Sequence, residues 1–131
     1  MAIAFLIGRT FFGIFHILFG LNHFTMLSAM TAYASSKGVP LPTVAVLVSG
    51  ILLLIGGLFI LLGIYPKIGI LALVLFYVPV TFIMHNFWAV NDPMGKMMDT
   101  TNFFKNMIIL GSSLMFLMIP EPWKFSISGK K

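Results

Sequence analysis

The chain has 131 residues, of which 60% are hydrophobic and only 8% are charged, and its mean hydropathy is +1.07. This composition excludes a soluble globular domain and is typical of a protein that lies in a lipid bilayer. The net charge is +5, but the cations are few and scattered, so nucleic acid is not an expected partner. The absence of cysteine excludes disulfides, thiolate nucleophiles and cysteine-ligated metals.

Four apolar segments fill most of the chain and predict four transmembrane helices. Each is long enough to cross a hydrocarbon core of about 30 Å, and they cover residues 3–28, 42–65, 68–88 and 103–119. None of them shows the alternation typical of strands in a membrane barrel. We therefore predict an all-α integral membrane protein that forms one domain over residues 1–131, folded as an antiparallel bundle of four transmembrane helices.

Prolines and polar residues set the expected helix boundaries. Pro42 suits the first turn of the second helix, and the very short turn at residues 65–67 makes the second and third helices antiparallel neighbours. Pro79 removes a backbone donor in the middle of the third helix, so we expect a kink there. Thr101 or Asn102 is expected to cap the fourth helix.

The distribution of cations predicts the orientation in the membrane. With four spans, both termini lie on the same side as the turn between the second and third helices. That side carries Arg9, Lys67, Lys124, Lys130 and Lys131, whereas the opposite side carries Lys37, Lys96 and Lys105. The positive-inside rule therefore predicts a multi-pass protein of the cell (inner) membrane with both termini in the cytoplasm.

Polar residues recur along single faces of the apolar helices. On the first helix, Arg9, Gly13, His16, Gly20 and His23 follow one another at spacings of four, three, four and three. Small residues on such a face let helices approach closely in lipid, where hydrophobicity gives no drive to associate. We expect these faces to turn inward and to form a polar bundle interior.

The outer half of the predicted bundle collects several polar residues at one depth. At 1.5 Å of rise per residue, His23 and His85 each lie about 10 Å outward of the midplane, and Lys105 and Asn106 reach the same level. Ionisable groups are costly inside a membrane and tend to mark function. The pattern predicts a ligand-binding site formed by His23, His85, Lys105, Asn106, Trp88 and Tyr77.

Several of these residues also have a purely structural interpretation. Lys105 and Arg9 could extend to the headgroups at opposite membrane surfaces, and Trp88 fits an interfacial aromatic belt. His16 near the bilayer centre could be a core histidine bonded to a carbonyl or hydroxyl. At the inner end, Glu121 is the only plausible anionic neighbour of Arg9, so we expect an Arg9–Glu121 ion pair.

The candidate residues favour some ligands over others. We expect no metal site, because no third histidine shares the level of His23 and His85 and no carboxylate lies within the spans. Haem is disfavoured, because it would need a gap that the bundle has to provide. A quinone fits better, because polar donors can bond its carbonyls while an apolar, aromatic pocket suits its ring and tail. A proton relay through the three histidines is an alternative. Hydrolytic catalysis is not expected, because Asp92, Asp99 and Glu121 are all placed in loops or the tail.

A series of segments in chain order resembles the DoxX family. They are GRTFFGIFHILFGLNHF at residues 8–24, YASSKGVPLP at 33–42, GIYPKIG at 63–69, FIMHNFW at 82–88 and FFKNMIILGSSL at 103–114. The resemblance implies a small bacterial or archaeal membrane protein with four helices. The related DoxD is the membrane subunit of a thiosulfate:quinone oxidoreductase. Other members are linked to oxidative-stress and thiol-redox assemblies.

The resemblance also bears on the candidate site. Family motifs of the HNFW and KN types correspond here to His85, Asn86, Phe87, Trp88, Lys105 and Asn106. Members often have lysine where this chain has His23, so a hydrogen-bond donor at that position could matter more than an imidazole. Because this chain has no cysteine, any thiol-redox role would have to come from a partner.

Two functions remain open at this point. The first is a redox-linked membrane subunit that binds quinone or a similar small ligand in the outer half of the bundle, with a partner redox subunit. The alternative is a non-catalytic membrane scaffold or assembly factor for a partner complex. A solute or ion pathway is a third interpretation, which would need a homo-oligomer. The sequence leaves open whether the chain is an enzyme by itself, although as a redox-active protein it would act within a quinone-linked oxidoreductase.

Overall fold

The computed structural model describes residues 1–127, and within this range every regular element is helical. The α-helices are α1 (Ala2–Thr25), α2 (Leu27–Ser36), α3 (Pro42–Leu62), α4 (Pro66–Met84) and α5 (Pro93–Met115). Short 3₁₀ turns cover Phe87–Ala89 and Phe116–Met118. The prediction of an all-α fold is confirmed. In the described range, three helices are long and apolar enough to cross a membrane: Ala2–Thr25, Pro42–Leu62 and Pro66–Ala89.

The predicted first helix differs from the structure at its outer end. α1 ends at Thr25, Met26 adopts a non-helical conformation (φ −115°, ψ 29°), and α2 then continues to Ser36. The expected loop at residues 29–41 is therefore largely helical. The segment contains no glycine or proline before Gly38, so nothing in it opposes a helix until that point.

The predicted boundaries of the last two helices also need correction. α4 ends at Met84 instead of continuing to residue 88, and it passes through Pro79 without ending there. α5 begins at Pro93 instead of residue 103. Its cap is Asp92, whose carboxylate accepts a hydrogen bond of 2.6 Å from the Gly95 N–H, with proline in the first helical position. The expected caps at residues 101 and 102 are thus wrong.

Glycines bring α1 and α3 into close contact. A methyl group added at Gly13 would lie 2.9 Å from the carbonyl oxygen of Gly57, and one added at Gly57 would lie 2.8 Å from that of Gly13. About two helical turns further along α1, a methyl group added at Gly20 would lie 3.1 Å from the carbonyl oxygen of Gly50. Only glycine permits such an approach of two backbones, as expected for helices that associate in lipid.

The two ends of the fold carry different polar contacts. At one end, Phe5 near the start of α1 packs against Trp123, with ring centroids 5.2 Å apart, and Lys67 Nζ in the first turn of α4 lies 3.4 Å from Glu121 Oε1. At the other end, Lys37 after α2 meets Asp99 in the first half of α5. α5 therefore runs from the second end to the first, alongside the other long helices.

Candidate functional site: a cavity among five helices

A cavity of about 620 Å³ lies among the helices, at the end that carries Lys37 and Asp99. Residues from all five α-helices line it, and most are apolar or aromatic. The polar residues are few: His23, Tyr33, Ser49, Tyr77, His85, Lys105 and Asn106. This volume and this mixture fall within the range of small-molecule sites, in which a few polar groups orient a ligand against apolar walls.

The structure brings five of the six predicted site residues to this cavity. They are His23 of α1, Tyr77 and His85 of α4 and its end, and Lys105 and Asn106 of α5. Trp88 is the exception. It is 55% exposed and packs against Phe103, with ring centroids 5.8 Å apart. It is not among the residues that line the cavity, in contrast to the prediction.

An acidic residue that the sequence placed in a loop is the central polar group beside this cavity. Asp99 is 7% exposed, and its carboxylate accepts hydrogen bonds from Lys37 Nζ at 2.7 Å and from His85 Nδ1 at 3.2 Å. The carboxylate is the shared acceptor of both side chains and fixes their positions.

A repeat on α5 could have revealed Asp99 from the sequence. Asp99, Asn106 and Ser113 are seven residues apart, and all three are buried in the structure. The sequence predicts that this helix begins at residue 103, so Asp99 falls outside the predicted helix. It is therefore not predicted to share a face with Asn106 and Ser113.

The histidine on α1 nearest the cavity has a defined tautomer. His23 Nδ1 lies 2.8 Å from the carbonyl oxygen of Phe19. A carbonyl oxygen can only accept, so Nδ1 carries the proton and the neutral ring presents a lone pair at Nε2. The same reasoning applies to His85, whose Nδ1 faces the Asp99 carboxylate.

His16 lies below the cavity and is fully buried. Its Nδ1 donates to the Phe12 carbonyl at 2.6 Å, and its Nε2 accepts from the Tyr77 hydroxyl at 3.0 Å. The interpretation of His16 as a core histidine bonded to a carbonyl and a hydroxyl is confirmed. Both ring nitrogens are thus engaged in protein contacts.

The α5 residues supply the cavity with hydrogen-bond donors. Lys105 Nζ donates to Asn102 Oδ1 at 2.8 Å, which leaves two of its three N–H groups for other acceptors. Asn106 is only 6% exposed, and its amide makes no hydrogen bond with any other residue of the range 1–127. A nearly buried amide that lines a cavity without a protein partner is a strong indication of a ligand or water contact.

The expected ion pair between Arg9 and Glu121 does not form. Arg9 is buried, with Nη2 donating to the Phe125 carbonyl at 2.6 Å, whereas Glu121 lies beside Lys67. A side chain added at Gly63, which has φ +69°, would lie 2.7 Å from Arg9 Nη1. The guanidinium is therefore enclosed by the turn after α3 and the segment after α5.

The geometry of the described residues does not indicate a metal site. Among residues 1–127, no group of three histidine, aspartate, glutamate or cysteine side chains is arranged to hold a metal ion.

These features define a helical membrane protein with several apolar spans and a ligand-sized cavity near one end of its helices. The model of the DoxX family matches residues 4–86, and the chain belongs to that family. The match includes His23, Tyr77 and His85 but ends before α5, so Asp99, Lys105 and Asn106 lie beyond it. Comparisons with curated proteins and with solved structures gave no match.

Proposed function

We propose that this DoxX-family protein binds a quinone, or a small ligand of similar shape, in the cavity among its five helices. The observation that carries the proposal is the convergence of His23, His85, Lys105 and Asn106 on one mostly apolar cavity of about 620 Å³. Each of these side chains keeps a polar atom without a protein partner at the cavity, and unpaired polar groups are costly within a membrane.

The walls of the cavity suit an aromatic ring. Phe15 and Phe19 of α1 and Phe76 of α4 line it together with Tyr33 of α2. Aromatic side chains contact a flat ring favourably through edge-to-face or offset-stacked arrangements. The polar groups of α5 lie on another side of the same cavity, so a ring and its oxygen substituents can be accommodated together.

The proposal includes a redox-linked partner. The chain contains no cysteine, so thiol-based electron transfer to a bound quinone would need another subunit. We propose that the protein acts as the quinone-binding membrane subunit of such an assembly.

We further propose that α5 forms a fourth span and that both termini face the cytoplasm of the inner membrane. α5 has 23 residues, which gives a length of about 34 Å at 1.5 Å per residue. Its contacts join it to opposite ends of the molecule, with Asp99 beside Lys37 and the segment after it beside Phe5. α5 is less apolar than the other long helices because it carries Lys96, Asp99 and Lys105.

The decisive experiment is a binding titration on the purified full chain in lipid nanodiscs. A short-chain menaquinone analogue is added, and its dissociation constant is measured by calorimetry. Loss of one hydrogen bond from the site should weaken binding about tenfold, so Asn106→Ala and Lys105→Ala should each show that loss. Asn91→Ala is the matched control, because Asn91 is exposed and lies outside the cavity lining.

Each result of the titration has a clear meaning. Binding that weakens in the cavity variants and not in the control supports the proposal. Equal binding by all variants would place the ligand elsewhere, and no binding by the wild type would remove the quinone proposal. In that case, a partner protein that co-purifies without ligand would favour the alternative of a membrane scaffold or assembly factor.

A further inference from the structure

The two histidines of the cavity offer hydrogen-bond acceptors and not donors. In each of them, Nδ1 is committed to a protein acceptor, the Phe19 carbonyl for His23 and the Asp99 carboxylate for His85. Each Nε2 therefore presents a lone pair as long as the ring is neutral. Neither Nε2 has a hydrogen-bond partner among the described side chains, and neither is sealed off by protein atoms.

The charges around His85 favour the neutral ring. Asp99 is the only carboxylate in contact with it among residues 1–127, and Lys37 Nζ at 2.7 Å already balances that carboxylate. Lys105 of α5 lines the same cavity, as does the neutral phenol of Tyr33 from α2. A proton on His85 would thus add a second positive charge beside a single negative one, with a third cation nearby.

His23 has no counter-ion in the described part of the chain. Its one polar contact is the carbonyl of Phe19, four residues earlier on the same helix. That carbonyl can only accept, so Nδ1 is the donor and Nε2 of the neutral ring is the free acceptor.

We infer that the cavity is built for a ligand with hydroxyl groups, so that it binds a quinol in preference to the corresponding quinone. This inference rests on the proposed function. A quinone oxygen only accepts hydrogen bonds, and so it would face the Nε2 lone pairs without forming a bond. A quinol hydroxyl donates to Nε2, and its own lone pairs accept from Lys105 or Asn106 on α5.

The preference should be measurable as a difference in affinity between two forms of one molecule. 2-Methyl-1,4-naphthoquinone and its quinol are titrated separately, under anaerobic conditions, into the full chain in nanodiscs. The quinol should bind about tenfold more tightly or better, because its binding leaves no desolvated lone pair unpaired. Equal binding, or tighter binding of the quinone, overturns the inference but leaves the proposed function intact. If neither form binds, both fail.

Asp99→Asn provides a test directed at the tautomer of His85. Lys37 can only donate, so it should bind the oxygen of the introduced amide and turn the amide NH₂ toward His85 Nδ1. Nδ1 would then accept, Nε2 would carry the proton, and the ratio of quinol to quinone affinity should fall. A ratio unchanged from that of the wild type contradicts the inference. Asp92→Asn serves as the control, because Asp92 caps α5 outside the cavity.

A second measurement does not depend on the stability of any variant. The ¹⁵N chemical shifts of histidine side chains in wild-type protein distinguish protonated from unprotonated ring nitrogens. We expect His23 and His85 to be protonated at Nδ1 alone near neutral pH. A proton on Nε2 of both rings would overturn the inference.

Discussion

Lys37 and Asp99 are 62 residues apart in the chain, yet their side chains meet at 2.7 Å. The contact joins the end of α2 to the first half of α5, and the same carboxylate also holds His85. It therefore links three separate elements around one cavity.

Removing the Asp99 carboxylate should destabilise the protein, because Lys37 and His85 would lose their shared acceptor. We expect Asp99→Ala to lower the free energy of unfolding by about 2 kcal/mol, the scale of hydrogen bonds to a charged group. Thermal unfolding in detergent measures the change. Lys96→Ala is the matched control, since Lys96 is exposed and makes no ion pair with a described residue. Equal melting temperatures for both variants would contradict the prediction.

The contact of α1 with α3 should not tolerate a methyl group. Gly57→Ala would place a Cβ 2.8 Å from the backbone oxygen of Gly13, which cannot move without displacing the helix. Overpacking of this kind costs about 1–3 kcal/mol. Gly111→Ala is the control, because no atom lies within 4 Å of the added Cβ and alanine favours a helix. The prediction fails if the two variants unfold at the same temperature.

The hydroxyl of Tyr77 should matter for stability as well as for the cavity wall. Tyr77→Phe leaves Nε2 of the fully buried His16 without its donor, which should cost about 1–2 kcal/mol. Tyr65→Phe is the matched control, because Tyr65 is largely exposed and its hydroxyl has no partner in the described chain. Unfolding of both variants is followed by circular dichroism, and a loss no larger than that of the control would contradict the role of this bond.

The topology can be tested by cysteine labelling, since the chain has no cysteine of its own. Single variants Lys67→Cys, Lys96→Cys and Lys124→Cys are expressed in bacterial cells and treated with a membrane-impermeant maleimide. We expect labelling of intact spheroplasts only at residue 96, and labelling at all three positions after lysis. External labelling at residues 96 and 124 but not at 67 would mean that α5 does not cross the membrane, whereas external labelling at residues 67 and 124 but not at 96 would reverse the orientation.

Features that follow from composition, or from the pattern along one face of a helix, could be predicted from the sequence. The apolar runs located α1, α3 and α4, and the shared depth of His23, His85, Lys105 and Asn106 predicted residues that line one cavity. The start of α5 was not predicted, because its cap, Asp92, and its first residue, Pro93, lie in a polar segment that is typical of a loop. The Lys37–Asp99 contact could not be predicted from the sequence, for a different reason. It depends on how two distant elements meet, and neither residue has a local partner that signals it.

The enclosure of Arg9 has a practical consequence for anyone who shortens this protein. A version ending before Trp123 would remove both the indole that covers Phe5 and the carbonyl that holds the guanidinium. Arg9 would then lose its carbonyl partner and its cover on that side, and insertion or folding of the first helix should suffer. Purification tags are therefore better joined through a spacer after residue 131 than in place of the final segment.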